Sequence, residues 1–581
     1  MSPKYDGLKS LKNLILKPIG RVFPSPHDWR DQIIYHLLID RFDNSEANIP
    51  PYDPKTTPLG RDDFEGDKWQ GGKIKGIIHR LDYIKGLGCT TIRLSPIFKN
   101  RKDMNTYHGY GIQNFLEVDP RFGTLKDLRT LVRKAHKMNM YVILEIVLNY
   151  TGDNWAYPEI DSWYYYSGER YPFGYWRVVD PFAGIQWPDD AVWPLEFQNP
   201  EWYNRKGQIC NWNSLPEFKE GDFVSMKKLN TSNCRVLNSL IQVYKYWIAS
   251  SDIDGYVVDA AKHIEEPSAA IFICAIKEYT YKIGKTNFFI CGEINDRDEY
   301  METYVRNVNR YYDKNKQSSS FDSLIDYPLA ALIEGTIKGY INPAELRKRY
   351  ERFNENYCSH IEKINHFITF VDNHDREGQP VRGRFLYNNI FYRQIILAIG
   401  YILTSVGIPC IYYGSEQGFN GGGKDERYPD KYIRECMFGG NWGAFNTTGH
   451  HFFNPESPIY KKISQIAKIR QQEPTLRYGR QYFREISGNG IDFGYPIDDR
   501  CTLAYSRILD DTEILVALNL DSKARSDWVT VDRNLSPKGR KLENMLRPAE
   551  RFIVEIVGER NAIRMHLDQH EIALLKSINK E

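Results

Sequence analysis

Three carboxylates, each closing a short apolar run, constrain this chain more than any other feature. Asp259 ends Asp254-Gly255-Tyr256-Val257-Val258-Asp259, Glu293 ends Phe288-Phe289-Ile290-Cys291-Gly292-Glu293, and Asp375 follows Phe367-Ile368-Thr369-Phe370-Val371. Each run reads as a buried parallel strand with its acid at the carboxyl end, where a (β/α)8 barrel places its chemistry. Two close carboxylates, one nucleophile and one proton donor, are what retaining glycoside hydrolysis needs. A third can serve as an electrostatic or sugar-hydroxyl partner.

The spacing of the elements supports the same architecture. Eight strands are expected over residues 31–37, 90–94, 141–148, 255–259, 288–293, 321–326, 366–371 and 408–412. Helical periodicity lies between them at 74–87, 125–139, 236–250, 268–283, 297–309, 343–354 and 392–404, with a last helix over 458–472. Strands alternating with helices make a parallel sheet covered by helices. The regularity breaks after the third strand. Residues 151–233 are dense in Trp, Tyr, Pro and Gly, including Trp155, Trp163, Trp176, Trp187, Trp193, Trp202 and Trp212. A structureless loop of that length is improbable, so the segment reads as an inserted subdomain. Beyond residue 473 short β-type runs follow at 491–495, 502–507, 513–518, 528–531, 552–557 and 571–575. The expected fold is therefore α/β: a (β/α)8 barrel over 1–150 and 234–474, an insertion over 151–233 after strand three, and a C-terminal antiparallel β-sandwich over 475–581.

Bulk properties narrow the function classes. A chain of 581 residues exceeds one ordinary core. Lys and Arg number 77 against 75 Asp and Glu, without a basic stripe, so nucleic acid is not an expected partner. No apolar stretch approaches membrane-spanning length. The start of the chain has Leu and Ile interrupted by Lys and lacks the apolar core of a secretory leader. Nine cysteines, an odd number without a CxxC pair, fit a reducing compartment. The expected location is cytoplasmic. Aromatic residues make up 14% of the chain, a level that suits either a large core or stacking on sugar rings.

Motifs in order give a sharper reading. Trp29 through Asp40-Arg41-Phe42, Gly71-Gly72-Lys73-Ile74-Lys75-Gly76-Ile77, and Ile92-Arg93-Leu94-Ser95-Pro96-Ile97-Phe98 come first. Tyr107-His108-Gly109-Tyr110, Leu215-Pro216-Glu217-Phe218 and Gly407-Ile408-Pro409 through Tyr412-Tyr413-Gly414-Ser415-Glu416 follow. Together with the three acid runs, over residues 28–480, these resemble the α-amylase family of glycoside hydrolases. The resemblance implies Asp259 as nucleophile, Glu293 as acid/base and Asp375 as transition-state stabiliser. It implies sugar contacts from His108, Tyr110 (a stacking platform), Lys262, His263 and His374. It implies an α-1,4-glucan or maltooligosaccharide substrate and no cofactor for the chemistry. In many relatives the residue matching Asn149 binds a structural calcium ion together with the carbonyl of the residue matching His263. Here the other ligands cannot be assigned, and a calcium-free polar turn is an equal reading, as it is for Asp43-Asn44. The oligomeric state is left open.

Three positions depart from the family pattern. Val257 stands where the family has an arginine two residues before the nucleophile, Glu145 where it has an aspartate, and Tyr150 where it has a histidine. Loss of the arginine should raise the pKa of the nucleophile. Arg93 is an unusual charge in the second strand. Either it points into the barrel and supplies the missing guanidinium to Asp259, or it faces the helix layer. These departures keep three functions in view: a hydrolase, a transglycosylase or isomerase sharing its first half-reaction, and a catalytically impaired glucan-binding protein.

Overall fold

The structure, a computed structural model, describes residues 7–46, 48–159, 164–178, 189–298, 301, 321–356, 363–375, 382–389, 391–423 and 429–577. Eight parallel strands form the central sheet: β1 (Ile34–Leu37), β2 (Thr91–Leu94), β3 (Tyr141–Val147), β4 (Gly255–Asp259), β5 (Phe289–Gly292), β6 (Ser323–Leu324), β7 (Ile368–Phe370) and β8 (Ile408–Tyr412). They run in the spatial order β6-β5-β4-β3-β2-β1-β8-β7. A parallel bridge between Ile325 and Ile368 joins the two ends, with Asp326 N–H donating to Ile368 O at 2.9 Å, and closes the barrel. All eight expected strands are present; β4 and β8 keep their expected bounds and the other six are shorter.

Alternation along the strands sends every second residue inward. The floor of the interior is apolar: Ile34, Ile143, Val257, Phe289, Cys291, Ile368, Ile408 and Cys410 pack as one cluster. Above it the interior turns polar, with His36, Arg93 and Glu145 all buried. Register explains their proximity: His36 pairs with Arg93 across β1 and β2, and Glu145 with Val257 across β3 and β4.

Helices cover the barrel where the periodicity placed them, with three differences. The expected helix over 74–87 divides at Arg80 into Ile74–His79 and Leu81–Gly86. The 297–309 segment lies almost wholly outside the described residues. A helix at Tyr327–Lys338, directly after β6, was not expected. Its signals are local: Asp326 caps the Leu329 N–H at 3.1 Å, Pro328 sits in the first turn, and Gly339 ends it with φ +84.

Between β3 and the helix Cys234–Ser251 the insertion is built from loops, short helical turns at Leu195–Gln198, Pro200–Trp202 and Glu217–Glu220, and two-residue ladders, one pairing Tyr150–Thr151 with Lys227–Lys228. Most of its described aromatics are packing. Trp155 is fully buried among Tyr157, Phe173 and Tyr203. Trp163 and Trp187 lie outside the described residues.

The C-terminal region forms two antiparallel sheets around a second apolar core that includes Leu515, Val529, Leu542, Ile563 and Leu575. Here the sequence reading needs correction. Residues 491–495 form no strand beyond a single antiparallel bridge from Gly494 to Ile486, and Ile491 is exposed; the strands of this stretch are Arg480–Phe483 and Ile486–Ser487. Strands at Lys541–Asn544 and Arg560–Leu567 were not anticipated, because charged residues occupy their solvent-facing positions.

Candidate active site

The three acids meet at the carboxyl ends of the barrel strands. Asp259 is the last residue of β4, Glu293 follows β5, and Asp375 lies five positions beyond β7. The strand ends are tied together: Glu293 N–H donates to Val258 O at 3.0 Å, and Ala261 N–H to Glu293 O at 2.9 Å. All three acids line one cleft of about 480 Å³ with Lys262, His263, Trp212, Phe223, Val224, Asn295, Tyr327 and Asp430.

Each acid has a distinct support. Tyr150 donates its hydroxyl to Asp259 Oδ2 at 2.5 Å. Tyr327, at the start of the unexpected helix, donates to Glu293 Oε1 and accepts from Asn373 Nδ2 at 3.1 Å. Arg434 holds Asp375 Oδ1 at 2.8 Å and the His374 carbonyl at 3.0 Å. Burial, followed by the charge of Glu293, pushes the Asp259 pKa well above the usual carboxylate range, and the Tyr150 hydrogen bond opposes this. Burial likewise lifts Glu293 to about 7, with Arg93 pulling it down and Glu145 and Asp375 pushing it up. Two buried acids that repel each other titrate as a pair and hold a proton into the neutral range.

Arg93 points into the barrel, which excludes the helix-layer reading. It does not pair with Asp259, however; its guanidinium contacts Glu145. Tyr110 donates to the other oxygen of Glu145 and bonds His374 Nε2 at 2.8 Å. Its ring stacks between those of His108 and His374, at 5.4 and 5.6 Å. Tyr110 is 6% exposed and His374 1%. His108, Tyr110 and His374 are not among the residues that line the cleft. The Tyr110 hydroxyl is thus committed to Glu145 and His374, while the aromatic surface in the lining of the cleft comes from Trp212, Phe223 and Tyr327. Lys262 and His263 do line the cleft: Lys262 pairs with Asp296 at 2.9 Å, and His263 Nδ1 bonds Phe218 O at 2.6 Å. Burial and the nearby lysines depress His263 to about 3, so it is neutral.

Sequence reasoning missed Tyr327, Trp212, Phe223, Asp430 and Arg434. Tyr327 carried a signal, since it closely follows a strand end. Arg434 carried none: it reaches Asp375 from 59 positions away.

Metal binding can be tested on the donor atoms. His36, Glu145 and His374 bring one ligand atom each within 4.8 Å of one another. The guanidinium on Glu145 and the Tyr110 hydroxyl on both Glu145 and His374 already engage two of the three, and the Arg93 charge on Glu145 opposes a metal ion there. Asp43 is held by Arg80 and by the Ser45 N–H at 2.6 Å, which makes Asp43-Asn44 a hydrogen-bonded turn. At Asn149 the calcium reading fails: the His263 carbonyl accepts from Lys228 Nζ at 2.5 Å.

Comparison with known proteins agrees with this geometry. The family model for the alpha-amylase catalytic domain matches residues 36–479. An alpha-amylase of Streptomyces lividans is 29% identical over 79% of this chain and 52% of its own length. A cyclomaltodextrinase of Geobacillus thermopakistaniensis is 26% identical over 92% of this chain and 75% of its own. A cyclomaltodextrin glucanotransferase of Klebsiella oxytoca is 25% identical over 88% and 73%. This chain thus spans about half of the Streptomyces protein, and 36% of a Paenibacillus polymyxa beta/alpha-amylase. Among solved structures, the alpha-amylase of Geobacillus thermoleovorans in complex with acarbose superposes with a TM-score of 0.69 at 26% identity, covering 96% of this chain and all of that one. With a family model matched across the whole barrel and the acids gathered at its carboxyl face, the chain belongs to the alpha-amylase family of glycoside hydrolases.

Proposed function

We propose that this protein is a retaining glycoside hydrolase acting on α-1,4-linked glucans or maltooligosaccharides. The observation that carries the reading is the convergence of Asp259, Glu293 and Asp375 on one cleft, with Glu293 holding its proton up to about pH 7. Glu293 gives that proton to the glycosidic oxygen as the bond to the anomeric carbon breaks. Asp259 attacks the same carbon and forms the glycosyl-enzyme. Glu293, now ionised, takes a proton from water, whose oxygen displaces Asp259. Asp375, fixed by Arg434, stabilises the positive charge that develops on the sugar. Lys262 and His263 sit beside Asp259 on the leaving-group side, and Trp212 offers an aromatic face. The barrel carries the chemistry, the 151–233 insertion supplies one wall of the cleft, and the β domain of 475–581 closes the chain. A reducing, cytoplasmic setting suits the eight unpaired cysteines among the described residues.

A second reading, transglycosylation, shares every step to the glycosyl-enzyme and then uses a sugar hydroxyl in place of water. Trp212 and Phe223, both in edge contact with His263, favour it by giving an acceptor sugar an aromatic wall. The cyclomaltodextrinase and glucanotransferase among the relatives support both outcomes. A third reading, an impaired glucan binder, rests on Val257 and on Arg93 facing Glu145 instead of Asp259.

Mass spectrometry of a maltooligosaccharide ladder after incubation separates the three. Shorter products alone support hydrolysis. Longer and shorter products together support transfer. An unchanged ladder with measurable binding overturns both enzymatic readings.

A further inference from the structure

The loop that follows Asp259 hands two consecutive carbonyl oxygens to the insertion. His263 O accepts from Lys228 Nζ and Ile264 O from Lys219 Nζ, each at 2.5 Å. Both lysines are buried, at 1% and 6% exposure. Lys219 also reaches Glu266 at 3.1 Å. Lys228 sits in the ladder that pairs with Tyr150–Thr151, so its backbone is tied to the chain just beyond β3 while its side chain grips the loop beyond β4. Its own N–H donates to Asp222 Oδ1 at 2.9 Å.

Two buried ammonium groups on neighbouring carbonyls are costly unless they do a job that neutral groups cannot. The geometry supplies the job. Asn149, two residues beyond β3, is 1% exposed, and neither atom of its side-chain amide has a hydrogen-bond partner among the described residues. Its backbone oxygen accepts from the Leu229 N–H at 2.8 Å. A calcium ion there would need six to eight oxygens. It would also meet Lys228 on the His263 oxygen and Lys219 one residue further on. A dication sharing the His263 oxygen would be repelled by these ammonium groups.

We propose that Lys228, seconded by Lys219, is a built-in cation that clamps the insertion onto the loop after Asp259 in place of a bound metal ion. Charge-assisted hydrogen bonds to carbonyl oxygens are stronger than neutral ones, so two of them can fix a loop. The clamped segment carries Lys262 and His263, which line the cleft, and Trp212 and Phe223 lie on the clamping side. The clamp therefore sets one wall of the active site against the acids. This holds whether the glycosyl-enzyme is resolved by water or by sugar.

The test uses the full-length protein purified without chelators. Elemental analysis is expected to find no stoichiometric calcium, and the apparent Tm is expected to be the same with EGTA as with added calcium chloride. Lys228→Met is expected to lower the apparent Tm by about 3 °C or more, with Lys219→Met giving a smaller shift in the same direction. Calcium at one per chain, or a Tm that falls in EGTA, overturns the proposal. So does Lys228→Met with the parental Tm. If Lys228→Met does not fold, the chelator and calcium measurements on the parent protein decide by themselves.

Discussion

The Arg93 guanidinium rests on Glu145, and the acid whose pKa it depresses is Glu293. The main influences on Asp259 are burial, three carboxylates and the Tyr150 hydroxyl. The barrel has therefore kept a cation beneath the site, but it favours the ionised form of the proton donor more than that of the nucleophile. This places an electrostatic cost on the proposed chemistry, and it makes the pH profile informative.

Arg93→Met should move the alkaline limb of the activity profile upward by roughly one pH unit, because Glu293 loses an opposing positive charge. Glu145→Gln should move it downward, because a carboxylate that raises Glu293 is gone. The double variant should lie closer to the parent than either single one, since the two charges cancel within one pair. Limbs that stay in place in both single variants would show that this pair does not tune the acid.

Tyr150→Phe removes one hydroxyl and little volume. The lost hydrogen bond is the interaction that most lowers the Asp259 pKa, so the acid limb of activity should shift to higher pH. A hydrogen bond to a charged group contributes about 1.5–3 kcal/mol, which predicts a fall in kcat/KM of about 10- to 100-fold near neutral pH. A comparable loss with an unmoved acid limb would assign Tyr150 to packing against Phe223 alone.

The barrel was legible because apolar runs of fixed length mark buried strands, and the acids stood out because each closed such a run. Inward alternation also allowed for Arg93 in the interior. Its partner was not legible, because Glu145 and Asp259 are both charge-complementary and only the side-chain path chooses between them. Tyr110 was read as a sugar platform from its motif, while its hydroxyl is committed to Glu145 and His374. Lys228 on the His263 carbonyl and Arg434 on Asp375 join segments 35 and 59 positions apart, and no local pattern encodes such pairings. In the β domain, short strands with one solvated face lose their apolar signature, as Arg560–Leu567 did.

Asp259→Asn keeps the shape of the side chain and removes the anionic nucleophile. Activity on maltooligosaccharides should fall by roughly three orders of magnitude or more, with far-ultraviolet circular dichroism unchanged. Parental turnover in a reducing-sugar assay on purified variant would remove Asp259 from the mechanism.

Glu293→Gln separates the cost of the site from its chemistry. The folded-state pKa of Glu293 is raised from 4.5 to about 7, chiefly by burial. A group raised in this way binds its proton more tightly in the folded state. Its contribution to stability is complete below the unfolded value of 4.5 and is lost as pH rises through 7. Above that the parent carries an ionised, buried carboxylate at a cost on the order of 3 kcal/mol. Glutamine escapes this cost and also loses activity. The Tm of Glu293→Gln should therefore exceed the parent's at pH 8, with the difference shrinking steadily toward pH 4.5. Differential scanning calorimetry across that range measures it. A gap that is constant with pH, or that widens as pH falls, would mean that Glu293 is not the raised, proton-holding acid on which the proposed mechanism depends.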